Sequence, residues 1–386
     1  MSLEGGKRRS FYGKTRKEAQ DKLRGALRDI DAGLDLSAGR QTVAQFLDRW
    51  LVDTVQPTVR PKTYDSYAQL VRLYLKPALG HHQLSKLTPQ HVQTFIRELE
   101  REKKHTAATV EATVRRRLAA GASVEECATL RRALEQEPRL SPRTVQYARA
   151  VLRRALGQAL KWGLVSRNVA TLVDPPRSVK QPVKPLTAEQ ARQFIACSAS
   201  DRLGPLFHVA IASGLRQGEL FGLRWEDVDL DHGALRVRHA LQRVDGVLTL
   251  VEPKTALSRR TVTLPGSAVS ALRVQKDRQT FERAAAGDLW REGGYVFTST
   301  VGTPLNPSNV AKRLHALLAE AGLPRQRFHD LRHCAASLLL AGGVAPRTIM
   351  GILGHSQISL TMNTYAHLSP VLEREAANAL DAVLAI

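Results

Sequence analysis

The chain has 386 residues, of which 43% are hydrophobic, and its 57 Lys and Arg against 36 Asp and Glu give a formal net charge of +21. This length is sufficient for two or three domains with real cores, and the hydrophobic content excludes an intrinsically disordered chain. So large a positive charge indicates a polyanionic partner, either nucleic acid or an anionic membrane surface. No apolar run approaches the roughly 20 residues that a membrane-spanning helix requires, so the sequence predicts a nucleic-acid partner and no membrane.

The N-terminus and the cysteines indicate the compartment. The first ten residues, "MSLEGGKRRS", are polar and lack the apolar region of a secretory signal. Cys127, Cys197 and Cys334 are odd in number and far apart, which predicts reduced thiols in place of a disulfide framework. We therefore expect a cytoplasmic protein, associated with the nucleoid when it is bound to DNA.

Residues 1–36 form the first predicted segment. "RRSFYGKTRKEAQDKL" predicts a short strand around Arg9 to Tyr12, a turn at Gly13 and a basic helix from about Thr15 to Ala32. Glu18 lies three residues after Thr15, which is the spacing of a capping box. One strand and one helix cannot bury a core by themselves.

Residues 41–172 are predicted to be helical throughout. "TVAQFLDRWLVDTV" has its apolar residues on one helical face, and Pro57 and Pro61 are predicted to break the chain after it. Three more amphipathic helices are predicted in "KTYDSYAQLVRLYLKPAL", "TPQHVQTFIRELEREKK" and "SPRTVQYARAVLRRALGQALKWGLV". Residues 104–138 have helical spacing and predict an insertion of one or two helices, to which we assign no function.

The last of these helices has a basic side. Its arginines are Arg143, Arg149, Arg153 and Arg154. Such a face is usually only solvated, but in a chain this basic it favours contact with phosphates. "DPPRSVKQPVKP" follows, with four prolines and two lysines, so residues 173–185 predict an extended basic linker.

Residues 186–386 predict a mixed domain. "TAEQARQFIACS" predicts a helix capped by its Thr, and "LGPLFHVAIASGLRQGELFGLRWEDVDL" predicts a buried helix, a Gly turn and a second helix. Alternating residues around an Asp245-Gly246 turn predict one small antiparallel sheet, and helices are expected from about Pro307 to the C-terminus. The predicted fold class is mainly α with a small antiparallel β-sheet.

Five stretches of this region carry candidate catalytic residues. They are "SGLRQGEL" with Arg216, "EPKTALSRR" with Lys254, "FHDLRH" with His329 and Arg332, "LGHS" with His355, and "NTYAHL" with Tyr365. Each stretch alone is a weak signal. In this order they resemble the tyrosine recombinases, the phage integrase family.

The resemblance implies a mixed α/β catalytic domain over about 186–370. It extends more loosely to residues 41–172, which look like the family's helical, SAM-like core-binding domain. Residues 1–36 look like the last strand and helix of the arm-type DNA-binding domain found in many integrases. The two preceding strands of that domain are missing from this sequence, so either its start is truncated or the domain is incomplete, and a partial arm-type DNA-binding segment is predicted.

The chemistry of phosphodiester transesterification fits these residue types. A tyrosine phenol has a pKa of about 10, so Tyr365 must be activated to attack phosphorus. Arg216 and Arg332 are predicted to hold the nonbridging phosphate oxygens, with Glu219 orienting Arg216. Lys254 would protonate the departing 5′ oxygen.

The two histidines complete the predicted site. His329 would assist proton transfer at Tyr365, and His355 would hydrogen-bond the scissile phosphate. His355 also follows a predicted helix C-terminus, where a protonated imidazole is favoured.

The family resemblance implies a site-specific recombinase of a phage or mobile element. Tyrosine attack gives a 3′-phosphotyrosyl bond and a free 5′ hydroxyl, and strands are exchanged through a Holliday junction. The implied partners are double-stranded DNA at attachment sites, a homo-tetramer on synapsed DNA, and an accessory factor for excision. No cofactor, metal or ATP is implied.

Several alternatives compete with this interpretation. His329 and His333, four residues apart, could bind zinc as in H-E-x-x-H enzymes, although Asp330 stands at the glutamate position. Within the same chemistry, the rivals are a monomeric type IB topoisomerase and a Xer-like cellular recombinase. A DNA-binding regulator without chemistry is the rival from another class, and the intact set of six residues argues against it.

Overall fold

The protein is described by a computed structural model that covers residues 10, 12–31, 41–101, 107–135, 139–177, 184–244, 246–253, 259–354 and 381. The chain divides into two compact units, Met1–Lys180 and Gln181–Ile386. None of the helices in these described ranges is both long enough and apolar enough to cross a bilayer.

The first helix, α1, spans Arg16–Asp31. Its N-terminus is capped as the sequence predicts, because Thr15 Oγ1 accepts from the Glu18 amide at 3.2 Å. The Glu18 carboxylate in turn accepts from the Lys14 amide at 2.8 Å. Of the strand predicted before it, Ser10 and Tyr12 are not in a strand, and the other two residues lie outside the described ranges.

Eight further α-helices, α2 to α9, follow in the described part of the first unit. Their bounds are α2 Val43–Trp50, α3 Gln56–Thr58, α4 Pro61–Leu70, α5 Lys76–Leu79, α6 Pro89–Arg101, α7 Ala107–Ala119 and α8 Val124–Glu135. The last, α9, spans Pro142–Lys161 and is capped by Ser141. Phe46, Trp50, Phe95 and Leu152 are among the fully buried side chains of the main core.

Pro57 does not break the chain, contrary to the sequence prediction. It lies inside α3, directly after a π-helical turn over Leu51–Val55. The same arrangement recurs at Pro77, which follows a π-helical turn over Val71–Leu75. A proline ring clashes with the carbonyl four residues before it, and the wider π turn relieves that clash. Pro61 does start a new helix, as predicted.

Helices α7 and α8 form a hairpin with a small core of its own. Val114 and Cys127 are buried there, with Ala122 packed against them. Arg131 bridges the two helices through an ion pair with Glu111 at 2.9 Å. The segment between α6 and α9 thus contains two helices whose core is separate from the main core of the unit.

The described part of the second unit contains seven helices. Their bounds are α10 Ala188–Ser198, α11 Gly204–Ser213, α12 Gln217–Phe221, α13 Gly266–Ala286, α14 Pro307–Glu320, α15 Phe328–Ala341 and α16 Pro346–Leu353. Helix α11 is buried nearly all round because it packs against both α13 and α15. Edge-to-face rings of Phe221 and Phe328, 5.4 Å apart, join α12 to α15.

The strands of this unit form two antiparallel sheets instead of the single sheet predicted. β1 Val228–Asp229, β2 Ala234–Val237 and β5 Arg260–Thr263 form one sheet in the order β1-β2-β5. β3 Ala240–Val244 and β4 Val247–Val251 form a separate hairpin. Between the sheets, Arg238 turns away to pair with the buried carboxylate of Asp227. The predicted fold class, mainly helical with small antiparallel sheets, is confirmed.

Candidate active site

A glycine turn places Arg216 at the start of a helix. α11 ends at Ser213 and is capped by Gly214, whose φ of +61° is the left-handed conformation that glycine adopts without strain. A Cβ on Gly214 would lie 2.5 Å from Leu353 Cδ2, so α16 also requires a glycine here. The chain then turns into α12, with Arg216 as its N-cap residue.

The Glu219 carboxylate accepts hydrogen bonds from both the main-chain amide and the guanidinium of Arg216. One carboxylate oxygen accepts from the Arg216 amide at 3.0 Å, and the other accepts from Arg216 Nη1 at 2.7 Å. Arg216 Nη2 donates to the Gly354 carbonyl at 2.8 Å. The Arg216 side chain remains 38% exposed, so an anion from solvent can reach it.

The carboxylate of Glu219 is buried between two arginines. Burial by itself would raise its pKa, but the hydrogen bond and charge of Arg260, then those of Arg216, outweigh burial and lower it. Arg260 Nη2 lies 2.9 Å from Glu219 Oε2. Glu219 is therefore ionised at neutral pH.

Arg332 approaches the same place from α15. Nη1 donates to the Gly214 carbonyl at 2.8 Å, and Nη2 donates to the Leu353 carbonyl at 2.7 Å. Arg332 is only 3% exposed. It therefore links the turn after α11 to the end of α16.

Three guanidinium groups thus meet at the C-terminus of α16. Arg260, Arg332 and Arg216 donate to the carbonyls of three consecutive residues, Ile352, Leu353 and Gly354. The last carbonyls of a helix lack intrahelical partners and carry the negative end of its dipole, so they attract cations. Consecutive Cα atoms are only about 3.8 Å apart, so Arg216 and Arg332 bond neighbouring peptide groups. Paired guanidiniums of this kind can bind the oxygens of a phosphate.

His329 lies one turn before His333 on α15, with the two ring centroids 5.0 Å apart. Part of its surface faces solvent, yet desolvation by the surrounding protein, then the charges of His333 and Arg332, lower its pKa to about 4. His329 is therefore neutral at physiological pH.

The described residues provide no third ligand for a zinc ion at His329 and His333. Within the ranges that the structure describes, no group of three or more His, Cys, Asp or Glu side chains is arranged to hold a metal ion. The carboxylate of Asp330, which lies between the two histidines in sequence, is instead paired with Arg327. Arg327 Nη2 lies 2.8 Å from Asp330 Oδ1.

Of the six predicted residues, the structure brings Arg216 and Arg332 together at the end of α16, and it places His329 three residues before Arg332 on α15. Lys254, His355 and Tyr365 lie outside the described ranges. The sequence prediction missed Arg260. Its signal is in "RTVTL", where Arg260 falls in phase with the buried Val262 and Leu264 of an alternating strand.

Comparison with sequence families matches both units. Residues 184–371 match the profile described as phage integrase family, and residues 42–99 match the one described as phage integrase, N-terminal SAM-like domain.

Individual proteins match over nearly the whole chain. An integrase of Streptomyces ambofaciens is 30% identical over 94% of this chain and 85% of its own length. A protein named tyrosine recombinase XerC-like, from Caldanaerobacter subterraneus subsp. tengcongensis, is 28% identical over 97% of this chain and 91% of its own. The solved Tn1549 transposon integrase in complex with a circular intermediate DNA has a TM-score of 0.67 at 20% identity, covering 88% of this chain and 99% of that one. At this identity the structural match shows a shared fold.

Proposed function

Because this chain belongs to the phage integrase family of tyrosine recombinases, we propose that it is the site-specific recombinase of a phage or mobile element, and that Tyr365 is its nucleophile. Members of the family cleave and rejoin DNA. One observation supports the assignment of the site: Arg216 and Arg332 donate to the carbonyls of adjacent residues at the end of α16, and Arg216 is open to solvent there.

The proposed reaction has two chemically similar steps. The Tyr365 oxygen attacks phosphorus, the bond from phosphorus to the 5′ oxygen breaks, and a 3′-phosphotyrosyl ester forms. The tyrosine proton passes to His329, which its low pKa keeps neutral. Lys254 gives a proton to the departing 5′ oxygen. In the second step the 5′ hydroxyl of a partner strand gives its proton to Lys254 and attacks the ester, and the released Tyr365 oxygen takes back the proton held by His329.

Electrostatic stabilisation supports this reaction. Negative charge on the phosphoryl oxygens grows in the transition state, and Arg216, Arg332 and His355 are proposed to donate to those oxygens. Each phosphotyrosyl ester conserves the energy of the bond it replaces, so the exchange requires no ATP.

The proposed partners follow from the family. The substrate is double-stranded DNA at attachment sites. The Tn1549 transposon integrase was solved in complex with a circular intermediate DNA. We propose a homo-tetramer that synapses two sites and resolves a Holliday junction, with an accessory factor for excision, acting in the cytoplasm on the nucleoid. The net charge of +21 favours such a polyanionic partner.

The nucleophile is tested with Tyr365→Phe, which removes only the phenolic oxygen. A nicked suicide substrate traps the covalent complex on a denaturing gel. We expect the wild type to form this complex, also in EDTA, and the variant to bind DNA without forming it. A covalent band that persists in Tyr365→Phe contradicts the assignment, and cleavage that EDTA abolishes and zinc restores favours the metal alternative at His329 and His333.

The class of recombinase is tested by sequencing the DNA junctions made when the protein is expressed beside its own flanking DNA. Junctions between an element end and a second site support the integrase. Junctions confined to one chromosomal site support the Xer-like alternative, and relaxation of supercoils without junctions supports the topoisomerase.

A further inference from the structure

Resting on the proposed function, we propose that Arg260 is a positioning residue for cleavage. It acts on Arg216 through Glu219 and through the end of α16, where the Gly354 carbonyl accepts from Arg216. It is not one of the six candidate catalytic residues, and its role is to fix the place of a guanidinium that touches the phosphate.

The position of Arg260 in β5 directs its side chain inward. Arg260 pairs with Val237 of β2, and it lies on the same face of β5 as the buried Val262. Its side chain is only 7% exposed. A buried guanidinium costs free energy unless it is paired, and this one is paired both with a carboxylate and with a helix end.

The first pairing is with Glu219. Arg260 Nη2 lies 2.9 Å from Glu219 Oε2, which is the oxygen that also accepts from the Arg216 amide. The other oxygen of Glu219 accepts from the Arg216 guanidinium. One carboxylate therefore joins the two arginines, and its charge and its orientation both depend on Arg260.

The second pairing is with α16. Arg260 Nε donates to the Ile352 carbonyl at 2.6 Å. A Cβ placed on Gly354 would lie 3.0 Å from Arg260 Nη1, so the guanidinium packs closely over that glycine. Gly354 is also the residue whose carbonyl accepts from Arg216. Arg260 thus contacts both groups that hold the Arg216 guanidinium.

The neighbouring Arg259 provides a matched control. Its side chain is 59% exposed and pairs with the exposed Glu252 at 2.6 Å. Replacing it removes the same charge from the next residue of the chain without touching Glu219 or α16. Any effect on DNA affinity is separated from catalysis by measuring rates at saturating DNA.

The experiment measures the single-turnover rate of covalent-complex formation on a suicide substrate, at saturating DNA and at pH 8. We expect Arg260→Met to bind DNA with near wild-type affinity and to cleave about 10²-fold more slowly, as misplacement of a reacting group by about 1 Å does. Arg259→Met should cleave at the wild-type saturated rate. Arg260→Lys keeps a positive charge beside Glu219, so it should cleave at least tenfold faster than Arg260→Met.

A double-mutant cycle and a pH profile test the route through Glu219. Arg260→Met combined with Glu219→Gln should lose less than the product of the two single losses, because the two residues share the route through Glu219. In Arg260→Met the buried Glu219 loses its main stabilising partner and its pKa rises. As the pH is lowered from 8, the cleavage rate of this variant should therefore begin to fall at a higher pH than that of the wild type.

The outcomes separate the two proposals. If the wild type forms no covalent complex, the proposed function fails. If it does, the inference is overturned by a wild-type rate for Arg260→Met, by additive losses in the double variant, or by an Arg260→Lys that folds yet remains as slow as Arg260→Met. If Arg260→Met does not fold by circular dichroism, Arg260→Lys alone decides, and a loss above tenfold in the folded Lys variant overturns the role of the charge.

Discussion

At the residue scale, an arginine and an acid three residues later are repeated at the start of two helices. In α12, Glu219 accepts from the amide and the guanidinium of Arg216, and in α15, Asp330 accepts from both groups of Arg327. An acid in the first turn satisfies an unpaired amide and complements the helix dipole. The side chain that caps the helix therefore also fixes the arginine before it.

The low pKa of His329 predicts how stability depends on pH. The folded protein holds this histidine neutral down to a pH of about 4, whereas an unfolded histidine binds its proton near a pH of about 6.5. Between these values the unfolded state binds more protons, so this contribution to stability is fully present above pH 6.5 and is lost as the pH falls.

We therefore expect the wild type to lose more thermal stability between pH 7.5 and pH 5 than His329→Gln does. Melting temperatures followed by circular dichroism at both values measure this difference. The comparison at pH 7.5 controls for lost packing, because the histidine is neutral there in both states. Equal slopes for the two proteins would contradict the predicted titration.

Part of the site could be predicted from sequence because its residues form an ordered set of motifs. Arg216, His329 and Arg332 come from stretches far apart in the chain, and the structure places Arg216 and Arg332 at adjacent carbonyls of α16. The contribution of Arg260 could not be predicted in the same way. Its partners are 41 residues upstream and 92 residues downstream, so only the fold brings them to it.

At the element scale, helices with clear caps and periodicity followed their predictions. Ser141 caps α9 and Thr187 caps α10 by accepting from the amide three residues later. Pro57 was wrongly predicted to break the chain because a π-helical turn, which has no simple sequence signal, precedes it. The single predicted sheet is two sheets because the alternating pattern is interrupted between β2 and β3, where Arg238 pairs with the buried Asp227.

The α7–α8 hairpin provides a prediction about local stability. Since Val114 belongs to a small core separate from the main one, Val114→Asp should unfold the hairpin and leave the rest of the unit intact. Limited proteolysis with mapped cut sites should show rapid cleavage within 107–135. Val124→Asp is the matched control, because Val124 is 79% exposed.

We expect Val124→Asp to resist proteolysis within 107–135 and Val114→Asp to be cleaved there rapidly. If Val114→Asp instead abolishes the whole unfolding transition of the unit, the hairpin is an integral part of the main core.

At the scale of the whole molecule, the C-terminal sequence predicts a role in assembly. "SPVLEREAANALDAVLAI" has an apolar helical face that must be buried, either on its own catalytic domain or on a neighbouring one. Its structure lies outside the described ranges apart from Asp381. The family resemblance favours docking on a neighbour.

Deleting residues 370–386 should leave binding to a single DNA site near normal, because the other DNA-binding surfaces are kept. Formation of paired-site complexes and full recombination should be lost. Native gels with one or two sites measure single-site binding and paired-site complexes. A truncated protein that is unfolded by circular dichroism would place the tail in the core of its own protomer.

The register of β5 has a consequence for how this sequence can change in length. Successive side chains of a strand point to opposite faces, so removing one residue between Arg260 and Leu264 would turn the arginine to solvent and a threonine inward. The pairing of β5 with β2 starts at Arg260, opposite Val237. Insertions and deletions in relatives should therefore accumulate before Arg259, while the spacing from Arg260 to Leu264 stays constant.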